Sequence, residues 1–377
     1  VLGLGLSLTR QKAGAGATTP APGIAATVFP TAPTVHYHPN AQAASVTKSG
    51  SRVTACPDLR GLAAASGLAI DGTTIIGPTE MTDALGRKFW RFSGATAMFV
   101  SNALNSLSSQ ANGIFYVGRM HKHRATVVFT SWRYIAYTDD TTNTTSAEIN
   151  GGLRARVSSS GAPNFNNVMN ADAVNGWKMV PGCQMHVGGI ASRTAALGGQ
   201  RYYMNTETAT NTAAVSLQTA IRGAVIGAQA AAGNSFTAPT LGAGNWFDLY
   251  ELAIWNRTLT NAEADAIAAA LVANYGIVPL TRQLILEGDS ITDGVVTTLG
   301  TTTSGDNAGM VLTNPGAEYV PADVRVLNMG VAGNGTAELQ TKKNATQSAF
   351  GSISNSWRYP GGPANNIVAP QIGRNDM

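Results

Sequence analysis

Asp248-Leu-Tyr-Glu-Leu-Ala-Ile-Trp255 and the residues that follow it, to Gly276, divide the sequence into two textures. The octapeptide reads as a last, partly buried strand. Leu259-Thr-Asn-Ala-Glu263 then opens a helix: Thr260 is a good N-cap, and Glu263, three residues on, completes a capping box. The helix runs through Ala262–Asn274, with Ile267, Leu271 and Tyr275 at helical spacing. Tyr275-Gly276 ends it, and Pro279 blocks its resumption.

Upstream, from about Ser45 to Phe247, the pattern is β. Runs such as Lys88-Phe-Trp-Arg-Phe92, Gly113-Ile-Phe-Tyr-Val117, Ala125-Thr-Val-Val-Phe-Thr130 and Arg201-Tyr-Tyr-Met204 are rich in β-branched and aromatic residues. Gly, Asn, Ser and Asp separate them, as in an antiparallel sandwich. Trp90, Trp132, Trp246 and Trp255 are expected in its core. His121 and His123 share one strand face, expected to be solvated, and Asp139-Asp140 reads as a turn. Further upstream, residues 1–44 carry Pro20, Pro22, Pro30, Pro33 and Pro39 among Ala, Gly and Thr. Proline at that density favours extended backbone, so an arm that contacts other chains is expected. Leu2, Leu4, Leu6 and Leu8 would share one face of an extended strand.

Downstream, Gln283-Leu-Ile-Leu-Glu287 is a short apolar strand that runs into Gly288-Asp-Ser-Ile-Thr-Asp293. Val324-Arg-Val-Leu-Asn328 precedes Met329-Gly-Val-Ala-Gly-Asn-Gly335, and Asn366–Ile372 precedes Gly373-Arg-Asn-Asp376. Three units of strand and polar loop predict a parallel α/β sheet with its ligand site at the strand C-terminal ends. Ser290, on a tight turn, presents a nucleophilic oxygen, but serine needs a base to take its proton. Acyl transfer also needs donors aimed at the oxyanion, which the Gly333 and Ser290 N–H groups and the Asn375 amide can supply.

Composition narrows the classes. The 377 residues contain 42 glycines but only 12% charged residues, against 44% hydrophobic ones. A coiled coil, a charged tail and wholesale disorder are excluded. The net charge of +4 (25 basic against 21 acidic residues) is spread too thinly for a nucleic-acid interface. Cys56 and Cys183 lie in no zinc-binding spacing and read as free thiols. No stretch reaches the roughly 20 apolar residues of a membrane span. The apolar Val1–Leu8 run is followed by Arg10 and Lys12, the reverse of a signal peptide. No metal or organic cofactor is expected.

The ordered set Gly288–Thr292, Asn328-x-Gly330-x-x-Gly333 and Gly373-x-Asn375-Asp376 resembles blocks I, II and III of the SGNH/GDSL hydrolase superfamily. The resemblance implies a flavodoxin-like α/β domain with Ser290 as nucleophile and Gly333 and Asn375 as oxyanion donors. Gly288, Asp289, Asn328 and Asp376 support them. Members are mostly esterases, including carbohydrate O-acetyl esterases. The family's histidine lies in a later D-x-x-H block, and His36, His38, His121, His123 and His186 all precede the GDS motif. Residues 278–377 therefore correspond to the N-terminal part of such a domain, and are expected to be inactive without that block.

Residues 45–277 resemble a concanavalin A-like or laminin-G-like sandwich. The resemblance is carried by Ser45–Val53, Asp58–Gly61, Gly86–Gly94 and, most specifically, Phe247–Thr260 with its helix to Gly276. Arm, lectin-like sandwich and GDS unit together look like a tail-fibre or head-spike protein of a bacteriophage or a gene transfer agent. That likeness implies a place on the virion surface, trimeric assembly through residues 1–44, and host capsular polysaccharide or lipopolysaccharide as partner. The alternatives are a non-catalytic adhesin and a structural connector.

Overall fold

The structure, a computed structural model, describes residues 23–61, 64–67, 77–92, 96, 98–100, 112–121, 131–139, 152–157, 163–166, 182–192, 199–211, 221–226, 229–230, 236–237, 247–288, 308–316, 318–328 and 366–371. The first strands are β1 (Val35–Tyr37), β2 (Thr47–Ser49), β3 (Arg52–Pro57), β4 (Ala64–Gly67), β5 (Thr79–Thr82), β6 (Lys88–Phe92) and β7 (Met98–Val100). Then come β8 (Asn112–Met120), β9 (Ser131–Asp139), β10 (Gly152–Val157), β11 (Pro163–Asn166), β12 (His186–Ser192), β13 (Gln200–Met204) and β14 (Glu207–Asn211). They are followed by β15 (Ile221–Ile226), β16 (Gln229–Ala230), β17 (Phe236–Thr237), β18 (Phe247–Trp255) and helix α1 (Asn261–Tyr275). The C-terminal unit contains β19 (Arg282–Gly288), α2 (Ala308–Leu312), β20 (Val324–Asn328) and β21 (Asn366–Gln371).

Strands β1–β15 and β18 form one hydrogen-bonded sheet with the path β11-β10-β9-β15-β7-β4-β3-β5-β6-β18-β8-β12-β13-β14. Its pairings are antiparallel. Met98 of β7 and Ile226 of β15 share a core with Tyr116 of β8, Ile190 of β12 and Tyr202 of β13, far along that path. Such contact requires the sheet to curl over on itself, so the architecture is a mostly antiparallel β-sandwich.

β18 does not alternate as a half-exposed strand would: all nine of its residues are buried. One face joins the sandwich core through Phe247, Leu249, Leu252 and Ile254. The change from odd to even positions is explained by a register shift against β8 between Leu249 and Glu251. The other face, with Tyr250, Ala253 and Trp255, packs under α1. That helix begins with the expected capping box: Glu263 N–H donates to Thr260 Oγ1, and Thr260 N–H to Glu263 Oε2. It buries Ala264, Ile267, Ala268, Leu271 and Tyr275 and ends at Gly276 in the left-handed region. Trp90 and Trp255 are core residues as expected, whereas Trp132 and Trp246 fall where no side chain is described.

The arm boundary at residue 44 needs correction. Residues 23–44 lie on the chain's own sandwich, because their backbone and side chains find partners there. Thr27 donates from N and Oγ1 to Glu251, Trp255 Nε1 donates to Thr31 O, and β1 pairs with β18. Phe29 also packs edge-on against Trp255, with ring centroids 5.1 Å apart. Residues 1–22 lie outside the described residues.

In the C-terminal unit β19 pairs in parallel with β20 on one side and β21 on the other. The outer edge of β20 is capped by the sandwich. Cys183 N–H donates to Val326 O at 2.8 Å, and Val326 N–H to Gln184 Oε1 at 3.1 Å. An exposed strand edge is a template for unwanted pairing, and this one is covered. Cys56 and Cys183 are both buried free thiols, and burial pushes each thiol up to about 12.

Candidate functional site

The strand order β20-β19-β21 places the first strand of the unit between the second and third. The chain therefore leaves β19 to one side and later returns on the other, so the C-terminal end of β19 is a topological switch point. Open α/β sheets bind ligands outside the carboxyl ends of their strands at such a point. The register brings three strand ends to one edge: Gly288 is opposite Gln371, and Asn328 is opposite Leu286. All three motif segments begin at this edge. Ser290 follows two residues after Gly288, Gly333 five after Asn328, and Asn375 four after Gln371. Gly288 and Asn328 are described, whereas Asp289, Ser290, Gly333, Asn375 and Asp376 lie outside the described residues. Asn328 is buried, and its Nδ2 donates to His121 O at 3.3 Å.

Beside this edge the sandwich holds a buried charge cluster. Asp248 accepts Arg91 Nε at 2.7 Å and Nη2 at 2.9 Å, a bidentate pair, and His121 Nε2 at 2.9 Å. Arg119 Nη1 stands 3.7 Å from the same carboxylate. Burial alone would raise the Asp248 carboxyl, but the Arg91 guanidinium and His121 outweigh it and hold the group well below the usual carboxylate range. Burial in turn lowers His121, against the pull of Asp248. His121 is thus a core residue and not on the solvated face that the sequence predicts; Asp248 supplies the partner that makes its burial tolerable. His123 and Asp140 lie outside the described residues.

The other described histidines are also committed to the core. His36 Nε2 meets Glu251 Oε1 at 2.6 Å. His38 Nδ1 accepts the Ala41 N–H at 3.0 Å, and its Nε2 lies 3.1 Å from the Tyr275 hydroxyl. His186 lies between Tyr116 O–H and Gln184 O, and burial lowers it to about 4. Sequence reading missed this cluster of buried charge, although a signal existed. Arg91, Arg119 and Asp248 each interrupt an otherwise apolar strand run, at Trp90-Arg91-Phe92, Gly118-Arg119-Met120 and Phe247-Asp248-Leu249.

A cleft of about 210 Å³ lies between the two units. Its walls are largely aliphatic, with Leu85, Ile277, Val278, Val320 and Val324 among them. Arg87 reaches it but is already paired with Asp83 at 2.7 Å. Val324 is the first residue of β20, so the cleft marks the N-terminal edge of the parallel sheet, opposite the motif-bearing edge. Among the described residues, no group of three His, Cys, Asp or Glu side chains is placed to hold a metal ion. No described helix is long and apolar enough to cross a membrane.

No protein-family model matches the sequence, and no curated protein matches it. Solved structures overlap it weakly. A Trypanosoma rangeli sialidase in complex with the inhibitor DANA superposes with a TM-score of 0.37 at 7% identity, over 57% of this chain and 31% of that one. The receptor-binding domain of botulinum neurotoxin type G gives 0.36 at 9%, over 63% and 51%. A mutant α-L-arabinofuranosidase gives 0.37 at 11%, over 59% and 51%. The chain spans about a third of the sialidase's length and about half of the other two. Overlap this slight carries no function across, and the sandwich assignment rests on the chain's own core.

Proposed function

We propose that this chain is a fibre or spike protein of a phage or phage-like particle. It binds host capsular polysaccharide or lipopolysaccharide through its sandwich and removes O-acyl groups with a flavodoxin-like, SGNH-type serine esterase unit. Ser290 attacks the ester carbonyl, the Gly333 N–H and Asn375 amide hold the oxyanion, and Asp289 and Asp376 support the loops. The histidine of a D-x-x-H block takes the serine proton. The observation that carries this reading is the strand order: block I follows the central strand at the switch point, and blocks II and III follow its two neighbours. Attachment and homo-oligomerisation, as a trimer, are assigned to residues 1–22, the part of the arm outside the described residues.

The test is acetate release from host capsule by the protein carrying its D-x-x-H block. Ser290→Ala should abolish release and leave capsule binding intact. A second reading, the non-catalytic adhesin, is favoured by the state of the histidines. All four described ones are buried and partnered, so none of them is free to serve as base. Capsule binding without acetate release from any host polysaccharide would select it.

A further inference from the structure

Arg119, 1% exposed, lies at the junction of the two units and reaches out of β8 toward the C-terminal unit. Its Nε donates to Cys183 O at 3.0 Å, and the Cys183 N–H in turn donates to Val326 O of β20. Its Nη2 donates to Met310 O at 2.8 Å and to Thr313 Oγ1 at 3.2 Å, at α2 and its C-terminal turn. Two residues on, His121 O accepts the Asn328 amide at the very end of β20. Beneath them Asp248 faces Arg119, Arg91 and His121 together. One short stretch, Arg119 to His121, thus grips both the helix that precedes β20 and the strand's last residue. A guanidinium holds its donors in a rigid planar fork over separate nitrogens, whereas the three donors of an ammonium sit on one rotatable nitrogen.

From this geometry we infer that Arg119 is a positioning residue, which with the Asn328–His121 bond sets where the loop after β20 begins. The sandwich is then a structural part of the C-terminal unit and not only a binding module tethered to it. The catalytic consequence rests on the esterase reading, since that loop bears Gly333; the mechanical coupling does not. A loop displaced by about an ångström costs on the order of a hundredfold in rate when it carries a catalytic donor.

Hydrogen exchange on the whole chain tests the coupling. The Val326 amide, bonded to Gln184, should exchange about tenfold to a hundredfold faster in Arg119→Met. The Ile190 and Ile254 amides of the sandwich should keep their rates. Should Arg119→Met fail to fold, Arg119→Lys keeps a charge facing Asp248 but loses the fork, and carries the same measurement. Unchanged exchange at Val326, or equal acceleration at all three amides, overturns the coupling. In the protein with its D-x-x-H block, kcat of Arg119→Lys is counted per serine labelled by a phosphonate ester. It should fall about tenfold or more with KM unchanged. Faster exchange with unchanged kcat per labelled serine overturns the positioning role. A wild-type protein with no esterase activity sinks the esterase reading alone, and the exchange result still decides the coupling.

Discussion

The heart of the sandwich and the carboxyl edge of the parallel sheet carry the same kinds of polar residue, and the esterase reading gives them opposite uses. In the sandwich, Asp248, Glu251, Arg91 and four histidines sit inside the fold, each aimed at another protein group. At the sheet edge, Gly288 and Asn328 end their strands just where Asp289, Ser290 and Gly333 follow in sequence. A polar side chain whose bonds are spent on its neighbours specifies a structure. The esterase reading asks the reverse of Asp289, Ser290 and Gly333, whose polar groups have to stay available for chemistry. Acidic and basic residues in a β run are therefore poor guides to a site until their partners are known.

The largest effect should come from breaking the sandwich side of this contrast. Asp248→Asn leaves Arg91 and Arg119 buried without their counter-ion, and removing one partner of a buried pair costs ~3–5 kcal/mol. The midpoint of urea denaturation should fall accordingly. A loss under ~1 kcal/mol would mean that water reaches the cluster and that the core is less closed than its burial implies. At the sheet edge the outcome should reverse. On the esterase reading, Asn375→Ala in the protein with its D-x-x-H block is expected to leave the midpoint unchanged and to lower kcat for ester hydrolysis by ~10²–10³, the usual cost of one oxyanion donor. An equal loss of stability would instead make Asn375 a structural residue.

Much of the fold is legible in the sequence wherever the signal is local. The α1 cap, its apolar stripe and its Gly276 stop all lie within one continuous stretch, and each is found where expected. The three parallel strands are also legible, because each is a short apolar run ending in a polar loop. What pairing decides is not legible. Arg91 and Asp248 are 157 residues apart, and periodicity tells which face a residue takes but never which charge it meets there. The arm fails for a related reason. Proline predicts extended backbone, and extended backbone is also what β1 needs to join β18. At the candidate site the motif order is readable, whereas the β20-β19-β21 arrangement that gives the motifs a common edge depends on pairing.

Acid should sharpen the contrast from the sandwich side. His186 takes up a proton near 6.5 when unfolded, while burial holds it to about 4 in the folded protein. Between those values the unfolded chain binds the extra proton, so falling pH favours unfolding. The contribution is complete above pH 6.5 and declines toward pH 4, by at most ~1.4 kcal/mol per pH unit and ~3 kcal/mol in all. Comparing wild type with His186→Gln by urea denaturation between pH 7 and 4.5 should show a shallower decline in the variant. Parallel curves would mean that the imidazole is hydrated in the folded state. Asp248 does not confound this window, because it is held low and stays ionised throughout it.

The smallest effect belongs to the helix that roofs β18, where the polar contacts are at the surface. Thr260 accepts the Glu263 N–H at 3.2 Å, and Glu263 returns the bond to Thr260 N–H at 2.8 Å. Glu263 also accepts Arg257, and that contact with the Thr260 N–H holds its carboxyl down to about 2. Yet both side chains are partly exposed at the surface, so the pair contributes no more than a few tenths of a kcal/mol after screening. Its share is present above pH 4.5 and is lost only as the pH falls toward 2, outside the window in which His186 titrates. The cap itself is worth more than the ion pair, because it satisfies helix N–H groups that have no partner within the helix. Thr260→Ala should therefore cost ~1 kcal/mol, insensitive to salt, and Arg257→Ala less than half of that, vanishing in 1 M salt. Equal and salt-sensitive losses would place the stabilisation in the charges and not in the cap. The same reasoning explains why the buried cluster around Asp248, whose charges no salt can reach, should respond to substitution but hardly to ionic strength.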